Sequence, residues 1–521
     1  MAVPPPSSQS SLTINSIDCL ESPSVGHTIG NDRQNQGALE AGQSENHNKH
    51  RDSFFFFFSL SLFYPCPSSL SFKVLSCPFL SIMMAVKADY LLSLRSVREQ
   101  TKQMQHIVQS GRLQHFDIDL GKMEEVVRFV TLLVKRDFDD PSDMPSHSRW
   151  RHFEVGGKPR IKQLESSWAS VTPTEKAKRL IDLCVMSVLL DVNPLHHWAY
   201  QEKSTGRTHK RTEGIAIAVL DLFKSGLFSS DPGDPNRVDA SALADLTLDD
   251  LASGFQLNAK NTLIGLEDRI NLIQHVTETM KDYSNIFSGN DKSSSRPGNM
   301  LDYILSHPST VRSSKGTVIQ METLWSVAIL LGELWAQGSP VEGRSVGDVW
   351  PCEALRSAGF SDPYVPFHTT TQWLCYSIVE VLETQLGITV DGKDQLTPLT
   401  DYPNGGLLLD TGFLTLKKGD LESGLSNYRR NSLLPGQPKM EVTPMFDISD
   451  PVVIEWRALT ITYSEMIASK VRDKLKSRKN LSLSQILEGG IWNAGRELAE
   501  ISRPNTQEPP IVIKIEKNTM F

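Results

Sequence analysis

The sequence predicts a mainly α protein, a single large helical domain with a few short strands. Three observations predict it. Apolar residues recur at a helical period in one segment after another. One of these segments, beginning at Thr172, opens with N-capping chemistry. Strand signals are few, the main ones at 406–416 and 511–515.

The elements follow in chain order. Residues 87–110 place Tyr90, Leu91, Leu94, Val97, Met104, Ile107 and Val108 on one face among charges, and Gly111 ends the helix. Residues 121–136 repeat the pattern from Met123 to Leu133, and a loop with Pro141 and Pro145 follows. The basic stretch from His147 to Arg160 reads as a short strand-like turn around Gly156-Gly157. Thr172 then suits an N-cap, Pro173 the first helical position and Glu175 the third, so a helix runs to about Leu190. Further helices are expected at 213–223, 248–255 and 266–280, with a Gly/Ser/Asn/Asp loop at 288–297. Residues 321–335 are apolar on most sides and read as a central helix, as do 371–386 and 452–475. Residues 483–500 close the fold, and 420–445 read as a surface excursion. No internal repeat is detectable.

Residues 1–83 are expected to lie outside this domain, which begins at residue 84 and runs to 521. Residues 1–52 are polar, without an apolar period, and are expected to be disordered. Phe54 to Phe58 then opens a Ser/Leu/Phe/Pro run that Pro65, Pro67 and Pro78 interrupt, far short of the ~20 apolar residues a bilayer span needs. The run also starts too deep in the chain for a secretory signal. Its residue types are those of pyrimidine-only codons, so it reads as a mis-annotated leader, with the native start at Met83-Met84-Ala85. A targeting segment or a membrane anchor is the alternative.

The bulk numbers exclude some functions. A net charge of −8 argues against nucleic acid as the main ligand, because phosphate neutralisation needs a basic footprint. Cys19, Cys66, Cys77, Cys184, Cys352 and Cys375 show neither a disulfide framework nor a zinc spacing. A cytoplasmic location is expected, with the nucleus as the other open compartment, and no membrane partner.

Sequences for a P-loop, a nucleophile elbow, a zincin helix and a dinucleotide-binding turn are all lacking. His196-His197 is a tempting metal pair, but adjacent helical residues point about 100° apart. No metal and no cofactor are expected. Three clusters remain. Thr212-Glu213-Gly214 opens a helix whose amides suit an anion, or simply a capped start. Pro366-Phe367-His368 leads to Gln372 and Trp373; His368 and Gln372 share a helix face with Tyr376, as ligand contacts or as satisfied core groups. Asp401-Tyr402-Pro403-Asn404-Gly405-Gly406, with Asp410 beyond, places a carboxylate on a turn, suited to acid–base work or to stabilising a cation, or merely to building the turn. Glu455 and Arg457 interrupt a buried helix and demand partners.

These clusters, in this order, resemble the uracil catabolism protein 4 family, a domain of unknown function numbered 1688. The matching stretches are Tyr90 to Arg98, Phe153-Glu154-Val155-Gly156-Gly157, Arg211-Thr212-Glu213-Gly214-Ile215, Pro366-Phe367-His368 with Gln372-Trp373-Leu374, and Leu396 to Leu407. Pro403 stands where that pattern carries an arginine. A remoter likeness is to the queuosine salvage protein family, N-glycosylases with a helical fold akin to DNA glycosylases. It rests on Phe367-His368 with Gln372, then Leu396-Thr397, then Asp401-Tyr402, and on Glu455 to Arg457; His368 replaces a lysine there.

The resemblance implies a DNA-glycosylase-like helical fold and a hydrolase of uracil catabolism. It would cleave the N-glycosidic bond of a ribosylurea or its phosphate. It makes Asp401 the catalytic carboxylate. His368, Gln372 and Glu213 would bind ribose hydroxyls, the urea group or a phosphate, with Tyr402, Asn404 and Asp410 also lining the site. Glu455 and Arg457 would support it, and Asp401 with Asp410 would be the candidate glycosidase-type pair. The implied partner is a small nucleoside or nucleotide derivative, with contacts to other enzymes of uracil catabolism. Two alternatives stand beside this: a non-catalytic binding or scaffold protein of the same pathway, and an amidohydrolase acting on the ureido linkage.

Overall fold

Helix Pro451–Leu475 occupies the centre of the molecule, and its sequence explains why. Asp450 caps it by accepting the Val452 N–H, and proline stands in its first turn, where a missing N–H costs nothing. Every residue from Val452 to Ser464 is buried, so the helix is enclosed on all sides and its polar members, Glu455 and Arg457 among them, must find partners inside the fold. Helices Leu94–Gln109 and Met123–Asp137 pack against it. The computed structural model describes residues 87–191, 198–289, 295–332, 338–431 and 441–514. One continuous hydrophobic core runs through them, from Ala88 to Ile513.

Around this centre the architecture is mainly helical, as expected. Helix Thr369–Leu386 packs between Pro173–Leu189 and Met321–Gly332. Thr172 does cap its helix, with Oγ1 accepting the Glu175 N–H, while the Glu175 carboxylate turns to Arg296 and Arg179. The strands are short pieces. Phe116–Ile118 pairs antiparallel with Leu414–Leu416, and Met445–Phe446 lies parallel to Val512–Ile513. Gly316–Gln320 lies between Val311–Ser313 and Thr389–Asp391. No helix among the described residues is long and apolar enough to cross a membrane.

Three local expectations are corrected. The His147–Arg160 stretch is not strand-like. Ser148 accepts the Trp150 N–H and opens helix Arg149–Phe153, and helix Arg160–Ser166 follows a turn where Gly156 has φ +71°. The apolar run expected to be a strand from Gly406 is helix Tyr402–Asp410; only Leu414–Leu416 is extended. Its two glycines disfavour helix by roughly 1 kcal/mol each, but tertiary packing demands one of them. A β-carbon on Gly405 would sit 2.7 Å from the Trp456 ring. The segment expected as a surface excursion, 420–445, overlaps helix Lys418–Asn431, in which only Gly424 and Tyr428 are buried, and its residues 432–440 lie outside the described residues. The first helix is interrupted at Leu92-Ser93, one turn after it begins. The expectations for residues 1–83 and for His196-His197 fall outside the described residues.

One contact positions the site. Helix Tyr402–Asp410 lies against Asn493–Ser502 so closely that a β-carbon on Gly495 would fall 1.9 Å from the Pro403 carbonyl oxygen. Helix Asn493–Ser502 continues Leu483–Ile486 through a π-helical stretch, Leu487–Trp492. Such bulges recur at functional sites. This one carries Glu488 and Trp492.

Candidate functional site

Asp401 is the N-cap of helix Tyr402–Asp410. Its Oδ1 accepts the Asn404 N–H at 3.0 Å. The other oxygen, Oδ2, faces Nε2 of His147 at 3.7 Å, too long for a hydrogen bond but a close ionic approach. The Asp401 side chain is 23% exposed and that of His147 only 1%. His147 Nδ1 lies 2.6 Å from the Glu488 carboxylate, while its Nε2 is buried without a hydrogen-bond partner. Two carboxylates therefore flank one imidazole, one on each nitrogen.

The electrostatics follow. Burial alone would strip His147 of its charge, but Asp401 and Glu488 outweigh it and lift its pKa to about 9. Burial pushes the Asp401 carboxyl up, and the neighbouring imidazolium pulls it back down. Because the two carboxylates address opposite nitrogens, they cannot close on one ion with the imidazole. Among the described residues no group of three or more His, Cys, Asp or Glu forms a metal-holding cluster.

Aromatic rings wall the pair. His147 lies 4.6 Å from Trp373 and 5.7 Å from Trp492, centroid to centroid. His152 lies 5.5 and 5.9 Å from the same two indoles and closes the ring. Both indoles are partly exposed. His152 is held neutral, first by burial and then by Arg149, whose Nη1 donates to His152 Nδ1 at 3.0 Å. Arg149, fully buried, also binds Asp191 and Thr212. Arg496 stacks over Trp492 at 4.8 Å and pairs with Glu213 at 2.6 Å. Glu213 thus joins the same neighbourhood through Arg496.

Three of the other sequence-expected residues, Gln372, Asn404 and Arg457, hold the backbone that ends in Asp401, together with Tyr376. Gln372 accepts the Thr397 N–H and donates to the Phe367 carbonyl. Tyr376 donates to the Thr397 carbonyl. Arg457 reaches Thr400 Oγ1 at 3.1 Å while making a two-pronged pair with Asp348 at 2.9 and 2.6 Å. Asn404 donates to the Leu399 carbonyl across the turn. These contacts are those of positioning, although the buried Asn404 Oδ1 has no hydrogen-bond partner.

The rest lie elsewhere. His368 is buried, turns the chain at φ +45° and donates through Nε2 to the Leu91 carbonyl, its ring against Trp325. Glu455 accepts N–H groups of Gln114, His115 and Phe116. Tyr402 contacts the Ile513 backbone through its hydroxyl. Asp410 makes a two-pronged pair with Arg503, at 2.8 and 2.6 Å. It ends the nine-residue helix that Asp401 begins. At about 1.5 Å per residue the two carboxylates stand roughly 13 Å apart along the axis. That exceeds the separation of either glycosidase type, so the proposed pairing of Asp401 with Asp410 is corrected.

His147, His152, Glu488, Trp492, Arg496 and Asp191 escaped the sequence reading. The signals were faint: two histidines in a basic stretch and a Gly-Gly pair inside a helical period.

A family model described as a protein of unknown function, DUF1688, matches residues 90–521. Uracil catabolism protein 4 of Lachancea kluyveri is 36% identical over 437 residues, covering 81% of this chain and 96% of that protein. Protein urg3 of Schizosaccharomyces pombe is 34% identical over 437 residues, covering 83% and 98%.

Proposed function

Since the chain belongs to the DUF1688 family, we propose that it acts in uracil catabolism, hydrolysing the N-glycosidic bond of a ribosylurea or its 5′-phosphate. The name of the Lachancea kluyveri relative supports the pathway. One observation supports the chemistry: a partly exposed carboxylate, Asp401, opposed by a buried imidazole and walled by two partly exposed indoles. Breaking a C1′–N bond develops positive charge on the sugar. A fixed carboxylate stabilises that charge and takes a proton from the attacking water. The water oxygen bonds to C1′, the C1′–N electron pair leaves on the ureido nitrogen, and that nitrogen takes up a proton. The products are urea and the free sugar.

The experiment follows urea released from ribosylurea and from its 5′-phosphate, comparing the protein with Asp401→Asn. Urea from wild type and none from the variant supports the reading. Urea from neither substrate discards it.

A second reading rests on the capping bond of Asp401, whose Oδ1 already serves Asn404. On that reading the carboxylate only builds the turn, and the protein binds or scaffolds in the same pathway. Ligand titration unchanged in Asp401→Asn, with no turnover by wild type, is its signature.

A further inference from the structure

The arrangement at His147 asks for an explanation that a structural role does not give. Its Nδ1 is saturated by Glu488 at 2.6 Å. Its Nε2 is buried, has no hydrogen-bond partner and points toward Asp401 Oδ2 at 3.7 Å. A buried donor left unpaired is costly, because the water it loses is not replaced. Folding alone does not reward that expense, whereas an oxygen seated against both groups removes it. Two contacts of about 2.8 Å span a base of 3.7 Å with the oxygen displaced to one side. That oxygen accepts from Nε2–H and donates to Oδ2.

We propose that this oxygen is the attacking water, that His147 is a second catalytic residue holding it against Asp401, and that Glu488 is the positioning residue that keeps His147 protonated and oriented. The inference rests on the hydrolase reading and deepens it. In the step, the water lone pair not engaged by Nε2–H forms the bond to C1′. Its proton passes to Asp401 Oδ2, the C1′–N pair goes to the ureido nitrogen, and that nitrogen takes a proton from solvent. Asp401 then returns its proton to solvent. His147 keeps both of its protons throughout, and no oxidant, reductant or metal enters the balance.

The groups facing His147 make it the charged member. Asp401 and Glu488 are the carboxylates in contact with it. His152, across the two indoles, is neutral, and Tyr376 presents its ring at 6.5 Å. Behind Glu488, Glu380 is engaged by Arg151 and Ser148, so it does not compete. The imidazolium in turn opposes the burial that would protonate Asp401.

The test measures kcat/KM for urea release against pH, with the histidine ring followed by NMR titration. Glu488→Gln removes the anion that holds the His147 proton, so the alkaline limb moves down by a pH unit or more and the ring titrates correspondingly lower. His147→Gln removes the cation beside Asp401, so the acid limb moves up while kcat falls about 100-fold. Glu488→Asp, which keeps the charge, restores part of both. A Glu488→Gln protein that is folded and keeps the wild-type pH profile and ring titration overturns the proposal. If wild type releases no urea, the hydrolase reading fails by itself. The ring titration still decides the Glu488–His147 linkage, and an unshifted ring in Glu488→Gln overturns that too. Should Glu488→Gln fail to fold, His147→Gln carries the test through the acid limb, with an unshifted acid limb in a folded protein as the overturning result.

Discussion

Gly495 touches the carbonyl of Pro403 so closely that any β-carbon would lie 1.9 Å from its oxygen. This contact locks the helix carrying Trp492 and Arg496 onto the helix that Asp401 caps. Gly495→Ala must push the two helices apart. We expect a loss of about 1–3 kcal/mol in denaturant unfolding, the range for overpacking, with a larger proportional loss of activity than of stability. Unfolding and turnover both at wild-type levels would show that the contact is not held in solution.

Asp401→Asn separates chemistry from capping. Asparagine caps about as well as aspartate, so the Asn404 N–H keeps its acceptor and the stability lost is that of the missing anion beside His147. Urea release should vanish. The partly exposed indoles of Trp373 and Trp492 give a second readout: their fluorescence should respond to ribosylurea phosphate in the variant as in wild type. A fluorescence response lost together with turnover would make Asp401 a binding group.

His147 makes stability depend on pH. Its folded pKa is about 9, above the ordinary value of 6.5. Its contribution is therefore fully present below about pH 6.5 and is lost as pH rises through about 9. By linkage it amounts to at most about 3 kcal/mol. Guanidinium unfolding at pH 6 and at pH 9.5 should show the decline, and His147→Gln should flatten it. An equal slope in the variant would assign the effect to other groups.

Arg457 distinguishes support from ligand binding. Both of its prongs are committed to Asp348, and its Nε reaches Thr400, the residue before Asp401. Arg457→Ala leaves Asp348 buried and unpaired, which should cost about 3–5 kcal/mol. A variant with wild-type unfolding but a raised KM would instead place Arg457 in contact with substrate.

By itself the sequence determined what is local. Periodicity located the long helices, and capping chemistry located the start of one of them, at Thr172, because both act within a few residues. It also marked the Leu396–Leu407 motif and Asp401 within it. Tertiary structure decided the rest. Tyr402–Asp410 is helical because Gly405 must pass the Trp456 ring, a constraint from a distant helix that overrides propensity. The polar residues His368 and Glu455 went to backbone partners far along the chain, which no spacing reveals. His147, Glu488 and Asp401 meet only because packing brings three remote segments together. Side-chain identity fixes what each group can do; only the fold fixes which groups share a proton.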